Sequence, residues 1–372
     1  MKRRLLAPLF LFLPFWTPVW AKTPHTAIRH ISALQLTAEM GQGWNLGNTL
    51  DAFPNGERSW GNPLTTEAMI DSIGRRGFKT LRIPVTWFPH FGPAPQYTID
   101  SAWLNRVETV MNYALKNNMY VILNIHHDEF NKRDAGSWLK PSLDGIAAVE
   151  VQLSTVWTQI ATHFRAYGDH LIFETMNEPR LIGSPEEWTG GTSEGRSVVN
   201  LLNRAALRAI RKTGGNNATR FILCPAYAAN SGATALDAFV VPDHDPHVIV
   251  SVHNYGPYSF CMQVPGTTSW GTLSDKQAID KDMDYYYARF IRQGIAVVIG
   301  EWGSVNKNNT ASRALHAAYF VRAAAERKIP VLWWDNGSTS NKGYGLFNRK
   351  ERTWIFPTLV DSILQSVKLP TP

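Results

Sequence analysis

Eight short apolar runs punctuate the chain at intervals, and most are separated by a longer amphipathic stretch. The runs are QGWNLGN (42–48), TLRIPV (80–85), YVILNIH (120–126), LIFETMNE (171–178), RFILCPA (220–226), VIVSVHNY (248–255), AVVIGEWG (296–303) and VLWWDNG (331–337). Between them apolar residues recur at helical spacing, as in Trp103, Val107, Val110, Met111 and Ala114, and again in Leu153, Val156, Trp157, Ile160 and Phe164. Strands joined through helices run parallel and are covered on both faces, which is why each run is nearly continuous in its hydrophobicity. Eight such units predict an α/β fold, a single-domain (β/α)8 TIM barrel. An open doubly wound sheet is the alternative, but no G-x-G-x-x-G phosphate loop follows an early strand. No Pro/Ser/Thr-rich linker and no second module interrupts the rhythm.

The chain begins with Lys2-Arg3-Arg4, an apolar run from Leu5 to about Phe15, and Val19-Trp20-Ala21, which has small residues where a signal peptidase needs them. Residues 1–21 are therefore expected to be a secretory signal peptide, leaving a catalytic domain over 22–372. A membrane anchor fits less well, because Pro8, Pro14 and Pro18 break a run already shorter than the roughly 20 residues of a bilayer span. Loss of Lys2, Arg3 and Arg4 lowers the formal charge from +7 to +4. That small surplus, with no basic run in the mature part, argues against a nucleic-acid partner. A secreted monomer is expected, extracellular or periplasmic, with no membrane contact after cleavage. Cys224 and Cys261 would then fold in an oxidising compartment, where either a disulfide or a buried thiol in the run FILCP is compatible with the spacing.

In a barrel of this kind chemistry gathers at the C-terminal ends of the strands, where the loops converge. Those ends are unusually polar here: Asn45 and Asn48, Arg82, His126 and His127, Asn177 and Glu178, His253 and Tyr255, Glu301, Trp334 and Asp335. Any one of them has an ordinary structural explanation, such as an ion-pair partner or a core histidine. Polar ends on seven of the eight runs do not. Glu178 on the fourth unit and Glu301 on the seventh would face each other across the ring. Paired carboxylates flanking a cleft are what glycosidic bond cleavage requires, one protonating the leaving oxygen and the other attacking the anomeric carbon or activating water. A separation of about 5–5.5 Å implies retention of configuration and about 6.5–9.5 Å implies inversion, a distance the sequence does not supply. Asn177 is placed to contact a sugar hydroxyl, Arg82 and Tyr255 to keep Glu301 ionised, and His253 to touch either the carboxylates or the substrate. The chain carries 14 Trp. Trp44, Trp60, Trp138, Trp270, Trp302 and Trp334 fall at strand ends or in loops, where an indole face can stack on a sugar ring or simply fill the core.

The stretches GWNLGNTLDA (43–52), SWGNP (59–63), LRIPVTW (81–87), NIHHD (124–128), NEP (177–179), HNY (253–255), GEWG (300–303) and WWDNG (333–337) together resemble glycoside hydrolase family 5, most closely its bacterial endo-β-1,4-glucanase branch. The resemblance spans nearly the whole mature chain. It implies a retaining endoglucanase without metal or organic cofactor, acting on a β-glucan polysaccharide, with Glu178 as the general acid/base and Glu301 as the nucleophile. It also implies that Arg82, His126, Asn177, His253, Tyr255 and Trp334 surround the reacting sugar, with Asn45, His127 and Trp60 as further binding residues. Glu178 would need a pKa raised by burial and by Glu301 opposite it. Xyloglucan, mixed-linkage β-glucan and β-mannan remain alternative substrates, set by loops such as 128–143 and 256–274. Two other readings compete. A metal-dependent hydrolase is prompted by His126-His127-Asp128-Glu129 and by His244 and His247, although adjacent histidines on a strand point to opposite faces, so only one of the first pair would enter the cavity. A non-catalytic sugar-binding barrel is disfavoured by the presence of both glutamates.

Overall fold

The structure, a computed structural model, describes residues 26–366. The leader expected over 1–21 lies outside the described residues. Eight strands, β1 (Gly43–Leu46), β2 (Thr80–Ile83), β3 (Tyr120–Asn124), β4 (Leu171–Glu174), β5 (Ile222–Asn230), β6 (Val248–His253), β7 (Ala296–Trp302) and β8 (Val331–Asp335), form a closed barrel in sequence order. Every neighbouring pair is parallel, and β8 closes on β1. The expected (β/α)8 barrel is what the chain forms.

Around the strands run α1 (Ala33–Met40), α2 (Glu67–Arg76), α3 (Ser101–Lys116), α4 (Ile146–His163), α5 (Ser193–Lys212), the short α6 (Ala233–Leu236) and α7 (Tyr258–Cys261), α8 (Leu273–Arg289), α9 (Thr310–Glu326) and α10 (Pro357–Gln365). Their starts are written locally. Ser32 and Gln35 exchange side-chain-to-backbone hydrogen bonds at the head of α1, Asp100 accepts from the Ala102 amide at the head of α3, and Thr192 caps α5. The stripes read from the sequence in α3 and α4 are the faces those helices bury against the strands.

Alternation along each strand sorts side chains between two compartments. Outward residues such as Val121, Leu123, Phe173, Cys224 and Val250 join the helices in one large core. Inward residues Tyr120, Ile122, Ile172, Phe221, Leu223, Ile249, Ala296, Val298 and Leu332 form a second core inside the barrel, and α1 seals it from below with Ala33, Leu36 and Met40. One layer higher the inward positions turn polar: Asn45, Arg82, Asn124, Glu174 and Ser251, all fully buried. The barrel is thus apolar in its lower half and charged in its upper half.

Several strands stop short of the apolar runs. β4 ends at Glu174, four residues before Glu178, and β3 at Asn124, two before His126. Past the rim a strand has no neighbour to complete its ladder, so these polar residues stand on loops just beyond the strands. β5 is the exception and runs on to Asn230 through a register shift, with Ala228 and Ala229 in the left-handed region. Cys224 and Cys261 are both buried free thiols.

Leu36 is fully buried in the floor of the barrel. Leu36→Ala should lower the unfolding free energy by about 2–4 kcal/mol in a denaturant titration. A loss below about 1 kcal/mol would mean that α1 does not close the interior.

Candidate active site

The site rests on one guanidinium. Arg82, inward-facing on β2, is fully buried and binds Glu174 through Nη2 (2.7 Å) and Nε (2.8 Å) to Oε2. Its Nη1 lies 2.6 Å from Glu301 Oε1 and 3.0 Å from Asn45 Oδ1, while Nη2 donates to Asn177 Oδ1 at 2.8 Å. These four acceptors come from three strand units, Asn45 from the first, Glu174 and Asn177 from the fourth and Glu301 from the seventh. Glu174 is held in turn by Asn124 Nδ2 (2.9 Å) and Ser251 Oγ (2.6 Å). A charge so far from water is tolerated only when it is paired and its protons are bonded, and here both conditions are met. Asn45 is a spacer beneath the site. Its amide donates to the carbonyls of Gly300, Leu332 and Trp333. Neither Asn45 nor Arg82 reaches the cavity surface, so the binding role expected of them is carried out at one remove, by positioning Glu301 and Asn177.

Above this layer opens a cavity of about 720 Å³ whose walls include His126, His127, Asn177, Glu178, His253, Tyr255, Glu301 and Trp334. Glu301, near the end of β7, takes Arg82 on Oε1 and the Tyr255 hydroxyl on Oε2 at 2.9 Å. Glu178 approaches from the loop after β4. His253, the last residue of β6, stands between them, with Nδ1 2.8 Å from Glu178 Oε1 and 3.7 Å from Glu301 Oε2. Carboxylate oxygens of Glu178 and Glu301, with a ring nitrogen of His253, lie within 4.8 Å of one another. The histidine thus touches the carboxylate pair, which the sequence left open.

The electrostatics differ from expectation at Glu178. Burial does push its carboxyl upward, but the His253 hydrogen bond and the charges of His253, Arg180 and His127 outweigh burial and hold it below its ordinary range. His253 moves the opposite way: burial lowers it, yet Glu301 and Glu178 raise it overall. The expected upward shift counted burial and Glu301 and omitted the positive groups His253, Arg180 and His127 around the carboxylate. Glu178 and His253 titrate as a pair, with the proton drawn toward the imidazole.

His126 and His127 both line the cavity, contrary to the argument that only one would. The strand has already ended at Asn124, so strict alternation no longer applies, and the two rings meet edge to face at 4.4 Å. His126 Nδ1 faces the Asn124 amide nitrogen at 3.1 Å, so Nδ1 accepts and the proton sits on Nε2. Burial, reinforced by the charge of His127, keeps His126 neutral, well below its ordinary value. His127 is raised: burial opposes its charge, but Asp51, 3.6 Å from Nε2, prevails. Asp51, His126 and His127 also lie close enough to one another to suggest ligands, but Asp51 is already engaged by the amides of Asn48 and Thr49.

The tryptophans divide. Trp334 lines the cavity parallel to His126 at 5.8 Å, and Trp60, 40% exposed, leans on His127 and Phe53. Trp44, Trp270 and Trp302 are core residues and Trp138 is tied to Asp128, so none of these offers a free face. Trp188, 53% exposed on the cavity wall over Arg180, was not singled out from the sequence, nor were Glu174, Tyr258 and Met262, and Glu129 entered only as a candidate metal ligand. Glu174 was legible in principle. It lies two residues after Ile172 on β4 and so must face inward. Asp335, read as a rim residue, is buried and binds Arg349 and Trp44.

Residues 41–340 match the family model described as Cellulase (glycosyl hydrolase family 5). Endoglucanase B of Clostridium cellulovorans is 47% identical over 98% of this chain and 83% of its own length. The solved structure of a GH5-4 broad specificity endoglucanase from Clostridium acetobutylicum is 49% identical, with a TM-score of 0.87 over 90% of this chain and 99% of that one. A GH5-4 broad specificity endoglucanase from Ruminococcus champanellensis with bound cellotriose is 43% identical, with a TM-score of 0.86 over 91% and 99%.

The His253–Glu178 bond carries a spectroscopic consequence. In Glu178→Gln the His253 imidazole should titrate about one unit or more lower than in the wild type, as followed by its ring resonances in NMR. An unmoved titration would place its stabilising charge elsewhere.

Proposed function

The chain belongs to glycosyl hydrolase family 5, and on that premise we propose that it is a secreted retaining endo-β-1,4-glucanase with Glu178 as acid/base and Glu301 as nucleophile. The observation that carries the reading is the closeness of the two carboxylates, with oxygens within 4.8 Å of each other across an open cavity. That spacing belongs with the about 5–5.5 Å of retaining pairs and not with the about 6.5–9.5 Å of inverting ones, and supports double displacement over direct hydrolytic attack.

Glu301 is suited to attack. Arg82 and the Tyr255 hydroxyl each bind one of its oxygens, which fixes the carboxylate plane and favours the charged form. As the bond to the anomeric carbon forms, the leaving oxygen takes a proton from the Glu178–His253 pair. The pair, and not Glu178 alone, carries that proton, so the acid is available although its own carboxyl is depressed. In the second half, Glu178 accepts a proton from the water that releases the sugar from Glu301. Asn177, anchored by Arg82, presents its amide nitrogen to a ring hydroxyl, and His126 Nε2–H offers a neutral donor beside it. Trp334 and Trp60 supply apolar faces for sugar rings.

The substrate is proposed to be the β-1,4-linked backbone of cellulose or a related soluble β-glucan. The relatives described as broad specificity endoglucanases support acceptance of more than one backbone, and xyloglucan, mixed-linkage glucan and β-mannan are the alternative substrates of this proposal. Residues 1–21 are proposed as the export signal and 22–372 as the catalytic domain. No helix among the described residues is long and apolar enough to cross a membrane.

Reducing-sugar release from carboxymethylcellulose, barley β-glucan, xyloglucan and galactomannan tests the reading. Wild type should cleave the glucans, Glu301→Ala should fall to background, and Glu178→Gln should lose about 10²–10⁴-fold. The first product seen by proton NMR should be the β-anomer. An α-anomer, or activity surviving in Glu301→Ala, would overturn the mechanism, and cleavage of galactomannan alone would overturn the substrate.

A further inference from the structure

A second tier of charge lies behind the acid. Arg180, two residues past Glu178, is largely buried and touches that residue twice: Nη1 donates to the Glu178 carbonyl at 3.0 Å and stands 3.7 Å from its Oε2. The same guanidinium is bound by Glu187 Oε1 at 3.1 Å and lies 3.9 Å from Glu129 Oε1. Glu129, itself buried in the loop after β3, accepts the Glu178 backbone amide at 3.1 Å. Trp188 lies over the guanidinium at 4.4 Å and shields it from solvent. Glu129 and Arg180 therefore grip the amide and the carbonyl of the proposed acid residue, and Arg180 also sets a positive charge beside its carboxylate. None of this is needed to build the barrel, since all four residues stand on loops beyond the strand ends.

We propose that Arg180 is a positioning residue that sets the acidity of Glu178, and that Glu187 moderates it by neutralising part of the guanidinium charge. The proposal rests on Glu178 being the acid/base. The other groups facing the carboxylate are His253 and Glu301 from the strand ends, Tyr255 from the loop after β6, and His127 and Glu129 from the loop after β3. Arg180 has in Glu187 a counter-ion that stands outside the carboxylate pair. A nearby cation favours the ionised carboxylate, so removing it leaves Glu178 protonated to higher pH. Removing the counter-ion exposes more of the cation and has the reverse effect.

The test is the pH dependence of kcat/KM on a soluble β-glucan for wild type, Arg180→Met, Arg180→Lys, Glu187→Gln and Glu178→Gln. Arg180→Met should move the basic limb up by about half to one pH unit, Arg180→Lys should restore most of the wild-type position, and Glu187→Gln should move it down by a smaller amount. The acidic limb, which reports Glu301, should stay in place in all of them. Equal falls in rate at every pH with fixed limbs would reduce Arg180 to a structural clamp and overturn the proposal. Should Glu178→Gln itself retain the basic limb, the acid assignment fails first, a result distinguishable from failure of the Arg180 inference alone. Circular dichroism melting of each variant identifies any that fails to fold, in which case Arg180→Lys and Glu187→Gln, which keep the side chain's length and shape, decide the matter.

Discussion

Everything at the reacting end of this molecule depends on a positive charge that has no access to water. Arg82 sits inside the barrel with Glu174 on one side and Glu301 on the other, and its remaining protons go to Asn45 and Asn177. Removing any acceptor would leave a buried guanidinium partly unpaired, at a cost of several kcal/mol. The arrangement is therefore all or nothing, and it fixes Glu301 and the loop bearing Glu178 in one geometry before substrate arrives. A preformed site of this kind spends little binding energy on ordering itself, which leaves more for the transition state.

The proton inventory is more subtle than a raised carboxylic acid facing an ionised one. With His253 bridging them, the two glutamates need not divide the work by having different environments alone. The imidazole, raised by Glu301 and Glu178, draws the shared proton away from the Glu178 carboxylate, and in the proposed mechanism the pair returns that proton to the leaving oxygen. Arg180 and His127 press on the same balance from the other side of Glu178.

Much of this was legible in the chain. The eight apolar runs and the helical stripes between them specified the barrel, because parallel strands covered on both faces have few other homes. The strand-end glutamates and their companions His253, Tyr255, Asn177 and Trp334 meet around one cavity as the barrel topology demands. What the sequence hid falls into two kinds. Depth along the barrel axis separates Asn45 and Arg82 from the surface they serve, and a one-dimensional pattern carries no depth. Loop geometry brings His126 and His127 to the same wall, hides Trp44 and Trp302 in the core, and lays Trp188 on Arg180. Once a strand ends, periodicity stops informing. Glu174 differs from these, since strand alternation alone turns it inward beside Arg82.

The ion network that centres on Arg82 draws from β2, β4 and β7, with Asn45 contributed by β1 and Ser251 by β6. No half of the barrel, folded alone, holds a complete set of partners for that guanidinium. The charged layer thus acts as a checkpoint on assembly: β2 and β4 supply the first ion pair, but the guanidinium has its full set of partners only once β1 and β7 have docked as well. Turnover in such a protein reports on more than the presence of two glutamates. It is a readout of whether distant strands have met around one buried charge.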